Sequence, residues 1–235
     1  VCLFFGRKGS GKQPTNQFED ELIATFALLL HPFMMKPIQE IFPLLNKPQQ
    51  VVITMHQKPD ADAMGSALAL RHFLSQFGHS VTVISPTNWA AWVNWMPGTK
   101  EVMDYEQDKQ KADAVLDKAE WLFCLDFNIF HRTKTMTEKL KQLTCTKILI
   151  DHHQEPDVAS FDYGISNTSK SSTCEMVYDF IVGSGHADKI TYETGECIYA
   201  GIVGDTGSFR FASAHAGVHT LVADLKSRGL DHGIV

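Results

Sequence analysis

Val51-Val52-Ile53-Thr54-Met55-His56-Gln57-Lys58-Pro59-Asp60-Ala61-Asp62-Ala63-Met64-Gly65-Ser66 is the stretch on which the fold turns. It opens on a short apolar, β-branched run, Val51 to Met55, suited to a strand buried on both faces. Ala63 to Phe77 then places Leu68, Leu70, Phe73, Leu74 and Phe77 on a broad apolar face and stops at Gly78, which predicts a helix. Between strand and helix, a His and two Asp fall within seven residues. Carboxylates this close repel one another unless cations neutralise them. Asp60 and Asp62 are two apart, so in an extended turn their side chains diverge and could serve two different metals. A solvated turn in which Asp62 caps the helix explains the same residues. Taken alone, the segment leaves both readings open.

Working outward, strands are expected at Ser80 to Ile84, Trp121 to Leu125, Lys147 to Ile150 and, shorter, near Phe161 to Ile165. Helices are expected at Ile38 to Leu45, Thr135 to Leu143, Thr173 to Val182, Thr191 to Val203 and His215 to Arg228. The alternation implies an α/β fold, a doubly wound, mostly parallel five-stranded sheet flanked by helices. Such sheets gather their ligands at the carboxyl ends of the strands. Asp126 ends the strand Trp121 to Leu125, and Asp151-His152-His153 ends the strand Lys147 to Ile150. Asp205, within Gly201 to Gly207, lies just past an apolar helix. A cap explains one such cluster, but four converging on one rim are better explained by metal.

Composition narrows the class. In 235 residues, an apolar share of 44% and a charged share of 20% are ordinary for a well-packed protein. A net charge of −6 argues against a general binder of duplex DNA. Five scattered cysteines without a CxxC pair read as reduced thiols in a cytoplasmic protein. The apolar run Ile23 to Leu30 is too short to span a bilayer, so no membrane partner is expected. Acidic Glu19, Asp20 and Glu21 stand where a signal peptide would need basic residues.

Gly6-Arg7-Lys8-Gly9-Ser10-Gly11-Lys12 has the spacing of a phosphate loop. Gln13 and Pro14 follow it, however, where Ser or Thr and a helix are required, so it reads as a chance turn. Residues 1–33 read as an atypical, non-native extension, with a start expected at Met34 or Met35 and a catalytic domain over residues 34–235. Trp89, Trp92 and Trp95 are read as a buried helix face rather than a base-stacking surface, because helical spacing usually reports core. His215 and His219, at i, i+4 without an HExxH pattern, are left as surface or core histidines.

The ordered set HxxPDADAMGS, Asp126-Phe127-Asn128 with Arg132, Asp151-His152-His153, Ser171-Ser172-Thr173-Cys174-Glu175 and GIVGDTG resembles the DHH (RecJ-like) phosphoesterase family. It is most similar to the short oligoribonuclease and 3′-phosphoadenosine-5′-phosphate phosphatase branch. The resemblance implies two Mn²⁺ ions, with Mg²⁺ as the alternative. His56, Asp60 and Asp126 would hold one ion, and Asp62, Asp126, His152 and Asp205 the other, Asp126 bridging. Carboxylate and imidazole donors without thiolate suit such ions.

His153 is assigned phosphate binding or proton donation to the leaving oxygen, and Asp151 the orientation of a ligand histidine. Ser66, Asn128, Arg132, Ser172 and Thr173 are candidate contacts to short RNA or a small nucleotide. The branch also carries a carboxyl-terminal (DHHA1) domain with a Gly-Gly-His motif, which is not found here. The expected function is metal-dependent hydrolysis of short oligoribonucleotides, linear dinucleotides or 3′-phosphoadenosine-5′-phosphate. Inorganic pyrophosphatase or polyphosphatase activity and a non-catalytic nucleotide-binding module are the alternatives. A homodimer is one of the oligomeric states left open.

Overall fold

The computed structural model describes residues 35–233 and Val235. The glycine- and lysine-rich turn at Gly6 to Lys12, the apolar run at Ile23 and the extension before Met35 lie outside the described residues.

The strands are β1 (Lys36–Pro37), β2 (Gln50–Thr54), β3 (Ser80–Ser85), β4 (Met103–Asp104), β5 (Trp121–Leu125), β6 (Thr146–Asp151) and β7 (Tyr163–Ser166). They form one sheet in the order β1-β7-β6-β5-β2-β3-β4, and every pairing is parallel. The sheet therefore has seven strands where the sequence suggested five. The two extra ones, β1 and β4, are two-residue edge strands too short to carry a periodicity. Pro37, which cannot donate to a ladder, is tolerated because β1 lies at an edge.

The helices are α1 (Ala61–Ser75), α2 (Lys109–Leu116), α3 (Thr137–Gln142), α4 (Thr173–Gly183), α5 (Tyr192–Asp205) and α6 (Ala216–Ser227). Residues of β5 alternate between two cores, Trp121, Phe123 and Leu125 into one and Leu122 and Cys124 into the other. That alternation is what a sheet covered on both faces requires. From β2 the chain winds outward to β3 and β4, then returns to lay β5 on the other side of β2. The order thus reverses between β2 and β5, and a crevice opens at their carboxyl ends.

Three local expectations need correction. Ile38–Leu44 is a 3₁₀ helix, and Pro43 inside it disfavours an α turn because its ring would clash with the carbonyl of Gln39. The helix expected from Thr135 begins only at Thr137, after a kink in which Lys134 has φ 48°. Trp89, Trp92 and Trp95 do not share a buried helix face. Only Ala91–Val93 forms a three-residue 3₁₀ turn, and Trp92 and Trp95 are 59% and 39% exposed.

Two glycines let α1 and α5 cross closely. A Cβ on Gly65 would stand 2.5 Å from the Cys197 carbonyl oxygen, and one on Gly201 would stand 2.8 Å from Asp62 Oδ1. Among the described residues, no helix is long and apolar enough to cross a membrane.

Candidate metal centre

The crevice at the ends of β2, β5 and β6 collects the acidic and histidine groups. After β2, Asp60 occupies the N-cap of α1, its Oδ1 accepting from the backbone N–H groups of Asp62 and Ala63 at 3.0 Å each. Asp60, not Asp62, is thus the helix cap, and this leaves its Oδ2 3.8 Å from His56 Nε2. The His56 Nδ1 donates to the Gln57 carbonyl at 2.8 Å, which turns Nε2 toward Asp126 Oδ2, 3.3 Å away. A ligand histidine is commonly fixed in this way through its other ring nitrogen.

Asp126 follows β5 in a left-handed backbone conformation, φ 61°, and is 2% exposed. His152 Nε2, from the end of β6, lies 3.5 Å from Asp126 Oδ1, 3.3 Å from Asp205 Oδ2 and 3.9 Å from Asp62 Oδ2. Its Nδ1 faces the Lys170 carbonyl at 3.4 Å. Asp205 is the last residue of α5, so this donor comes from a helix end rather than a strand end.

Three groups of potential ligand atoms result: His56, Asp60 and Asp126; Asp62, His152 and Asp205; and Asp126, His152 and His153. Within each group the atoms lie within 4.8 Å of one another. The structure therefore brings together all six residues named as ligands from the sequence, with Asp126 between the two sets.

The electrostatics follow from crowding. Burial, then the charges of Asp126 and Asp205, push the Asp62 carboxyl well above the ordinary range. Burial and Asp126 raise Asp205 to about 6. Burial would discharge His152, yet Asp126 and the other carboxylates outweigh it and raise the imidazole to about 9. Burial opposes the charge on Asp126 as well, but the hydrogen bonds from His152 and His56 hold it far below the usual carboxylate value. So many acids at one spot call for protons or for cations.

The supporting contacts are equally specific. The N-terminus of α4 donates two backbone N–H bonds to Asp62, from Thr173 to Oδ2 at 2.6 Å and from Cys174 to Oδ1 at 2.8 Å. The Thr173 hydroxyl donates to Asp126 Oδ1 at 3.0 Å. Ser172 caps α4, accepting from Glu175 N–H at 3.1 Å, and Glu175 reaches back to the Ser171 amide at 2.8 Å. Ser66, Ser172 and Thr173, offered above as substrate contacts, are fully buried with their hydroxyls on protein groups. A helix start at a Ser-Ser-Thr turn was legible, but that its amides close on Asp62 more than a hundred residues earlier was not.

Asp151 is fully buried and orients a histidine, although it is His153 and not a residue of the closest ligand pair. Its Oδ1 takes the His153 Nδ1 proton at 2.7 Å and its Oδ2 the His153 N–H at 3.1 Å. Arg132 is half-buried, with Nη1 3.3 Å from the Asp126 carbonyl. Asn128 is half-buried and donates to the Gln154 carbonyl at 2.6 Å. His215 caps α6 through Nδ1 and sets its Nε2 3.3 Å from Glu175.

Comparison with known proteins follows the same residues. Residues 50–202 match the N-terminal domain of the DHH family. A bifunctional oligoribonuclease and PAP phosphatase of Bacillus subtilis is 30% identical over 68% of this chain and 47% of its own length. The chain spans about half the length of the curated relatives it matches. The crystal structure of an exopolyphosphatase-related protein from Bacteroides fragilis superposes with a TM-score of 0.80 at 34% identity, covering 83% of this chain and 58% of that one. An exonuclease RecJ structure bound to manganese shares the fold at a TM-score of 0.52 and 13% identity, over 84% of this chain and 49% of that one.

Proposed function

This chain belongs to the DHH family, and from that premise we propose that it is a two-metal phosphoesterase acting on short oligoribonucleotides, linear dinucleotides or 3′-phosphoadenosine-5′-phosphate. The observation that carries the reading is Asp126, 2% exposed and set between two groups of atoms that could hold metal ions. The donor set fits Mn²⁺ or Mg²⁺, since it offers carboxylate oxygens and imidazole nitrogens and no thiolate. We assign His56, Asp60 and Asp126 to one ion and Asp62, Asp126, His152 and Asp205 to the other. Bound there, a pair of such ions supplies an activated water and neutralises charge on the phosphoryl oxygens.

The chain's own groups do the rest. Asp151 commits the Nδ1–H of His153, so Nε2 is the atom that faces the substrate, where the imidazolium form binds phosphate or gives its Nε2 proton to the leaving oxygen. The His153 side chain is 35% exposed, enough to meet a substrate. Arg132 spends one N–H on the Asp126 carbonyl and keeps the remainder of its planar fork for phosphate. Asn128, on the same loop, frames the entry. The substrate class is supported by the Bacillus subtilis relative, and a cytoplasmic setting by four free cysteines among the described residues.

Metal analysis joined to a hydrolysis panel tests this reading. The expected result is two ions per chain and ion-dependent turnover of a diribonucleotide and of 3′-phosphoadenosine-5′-phosphate. Turnover of pyrophosphate or polyphosphate alone would transfer the activity to inorganic substrates, a second reading favoured by the exopolyphosphatase-related neighbour. Nucleotide binding without turnover would make the chain a binding module. A chain that takes up no ions would end the first two readings.

A further inference from the structure

A second cleft, of about 520 Å³, opens around the ends of β3 and β4. Asn88, Trp89 and Asn94 line it from the loop after β3, and Lys100, Asp104 and Gln107 from around β4. Its volume lies within the range of about 300–1,000 Å³ typical of small-ligand sites. β3 and β4 pair with Ser85 opposite Asp104, so the cleft begins where those two strands end. β4 is two strands from β2, whose following loop carries His56, Asp60 and Asp62. At about 4.8 Å per strand the two strands are offset by roughly 10 Å along the sheet.

The lining selects a chemistry. Trp89 packs against the main core and also faces the cleft. Its indole N–H donates to Asn94 Oδ1 at 2.8 Å, which fixes both side chains relative to each other. That bond leaves the amide –NH₂ of Asn94 without a partner among the described residues, beside the exposed amide of Asn88. A locked indole with amide edges beside it is what a nucleobase needs, a π-face to stack on and groups to pair with its rim. Phosphate is poorly served, because Asp104 and Asp108 face Lys100 as the one basic residue of the lining. The loop is also braced to the metal centre: Thr87 Oγ1 accepts from the Lys58 N–H at 2.8 Å, and Ser85 Oγ donates to the Thr87 carbonyl at 2.6 Å.

We propose that this cleft is a nucleobase subsite, in which Trp89 stacks on a base of the substrate while its phosphate lies at the ions. The proposal rests on the phosphoesterase reading above and adds to it a reason for preferring nucleotides over inorganic phosphates.

The test uses the full chain in Mg²⁺ buffer, titrated with adenosine, which carries a base and no phosphate. Indole N–H resonances of the four tryptophans report binding residue by residue. The Trp89 resonance is expected to shift saturably while that of Trp121, buried at the far end of the sheet, stays in place. Trp89→Leu should weaken binding about tenfold, in line with the usual worth of base stacking. Should Trp89→Leu fold poorly, Asn88→Ala, at an exposed position, is expected to weaken adenosine binding at an unchanged melting temperature.

In assays, either variant should raise the KM for a diribonucleotide and leave pyrophosphate turnover, which offers no aromatic ring, unaltered. A Trp89 resonance that ignores adenosine, or variants that bind it like the parent, would overturn the subsite and leave the hydrolase standing. Adenosine binding in a chain that hydrolyses nothing would overturn the hydrolase and leave the subsite standing.

Discussion

Both edges of this sheet bury titratable side chains, and they do so to opposite ends. At the amino edge, His79 precedes β3 and is 6% exposed. Its Nδ1 accepts from the Gln49 N–H at 3.0 Å, its ring lies 5.5 Å from that of Trp121, and its Nε2 has no partner among the described residues. Burial lowers its pKa, so it is carried as a neutral, structural ring. At the carboxyl edge, carboxylates and imidazoles face one another, and the acids stay crowded even with backbone N–H groups and two histidines bonded to them. Burial by itself marks nothing; convergence of more carboxylates than the neighbouring imidazoles can neutralise marks a place for ions. Variants at both edges break or sharpen this contrast.

The largest effect belongs to Asp126→Ala, which removes the residue shared by both ligand sets. We expect both ions to be lost and turnover to fall about a thousandfold or more. Normal ion content in this variant, measured by mass spectrometry of the metals, would remove the bridge from the scheme. Asp62→Asn touches both function and stability. It should cost one ion and most activity, and it should destabilise the metal-free chain by about 1–3 kcal/mol, because the –NH₂ of Asn cannot accept and leaves one of the two backbone N–H groups of α4 facing a donor. A metal-free variant as resistant to denaturant as its parent would show that relief of charge crowding offsets the lost bond.

Thr173→Val is milder. It keeps the backbone N–H on Asp62 but deletes the hydroxyl on Asp126. Metal affinity should drop about 10–100-fold, the usual consequence of losing a group that orients a ligand. Ion titration giving the parent affinity would reduce this bond to packing.

The smallest effect is at the amino edge. The pKa of His79 in the fold is lowered from 6.5, so the unfolded chain binds its proton more readily. Its stability contribution is therefore full above pH 6.5 and declines as pH falls below it. His79→Asn retains an acceptor for the Gln49 N–H and removes the titration. The difference in melting temperature between pH 7.5 and pH 5.5 should shrink by about 1–3 °C. Slopes that coincide would mean His79 gains its proton in the fold as easily as outside it.

The sequence disclosed the strong elements and the His and Asp groups that stand at their ends, because both are local. β5 was legible to the residue, since Trp121 to Leu125 is a continuous apolar run between polar ends. The proposed ligands were legible as clusters of His and Asp at strand ends, which the structure brings within 4.8 Å of one another in sets of three. What stayed hidden depends on tertiary contacts. α2 buries only Ala112 and Leu116, and its capping residue Asp108 makes no side-chain cap bond, so little in Lys109–Leu116 announces a helix. β4 exists by virtue of its pairing with β3. The Trp89–Trp95 segment carried helical spacing without helical structure, so two large apolar side chains expected inside stand in solvent. Thr173, offered as a substrate contact, is instead spent on Asp62 and Asp126, because α4 closes on both.

The close crossing at Gly201 has a consequence for which ion the centre will take. Gly201 touches Asp62 and sits one turn before Asp205 on the same helix. The helices close like a caliper, and a methyl restored at Gly201 would meet Cys174 Sγ first and Asp62 Oδ1 next, at 2.8 Å. Alanine there should push the Asp62 jaw outward, and ion titration should then favour a cation of larger radius, with none of the proposed ligands changed.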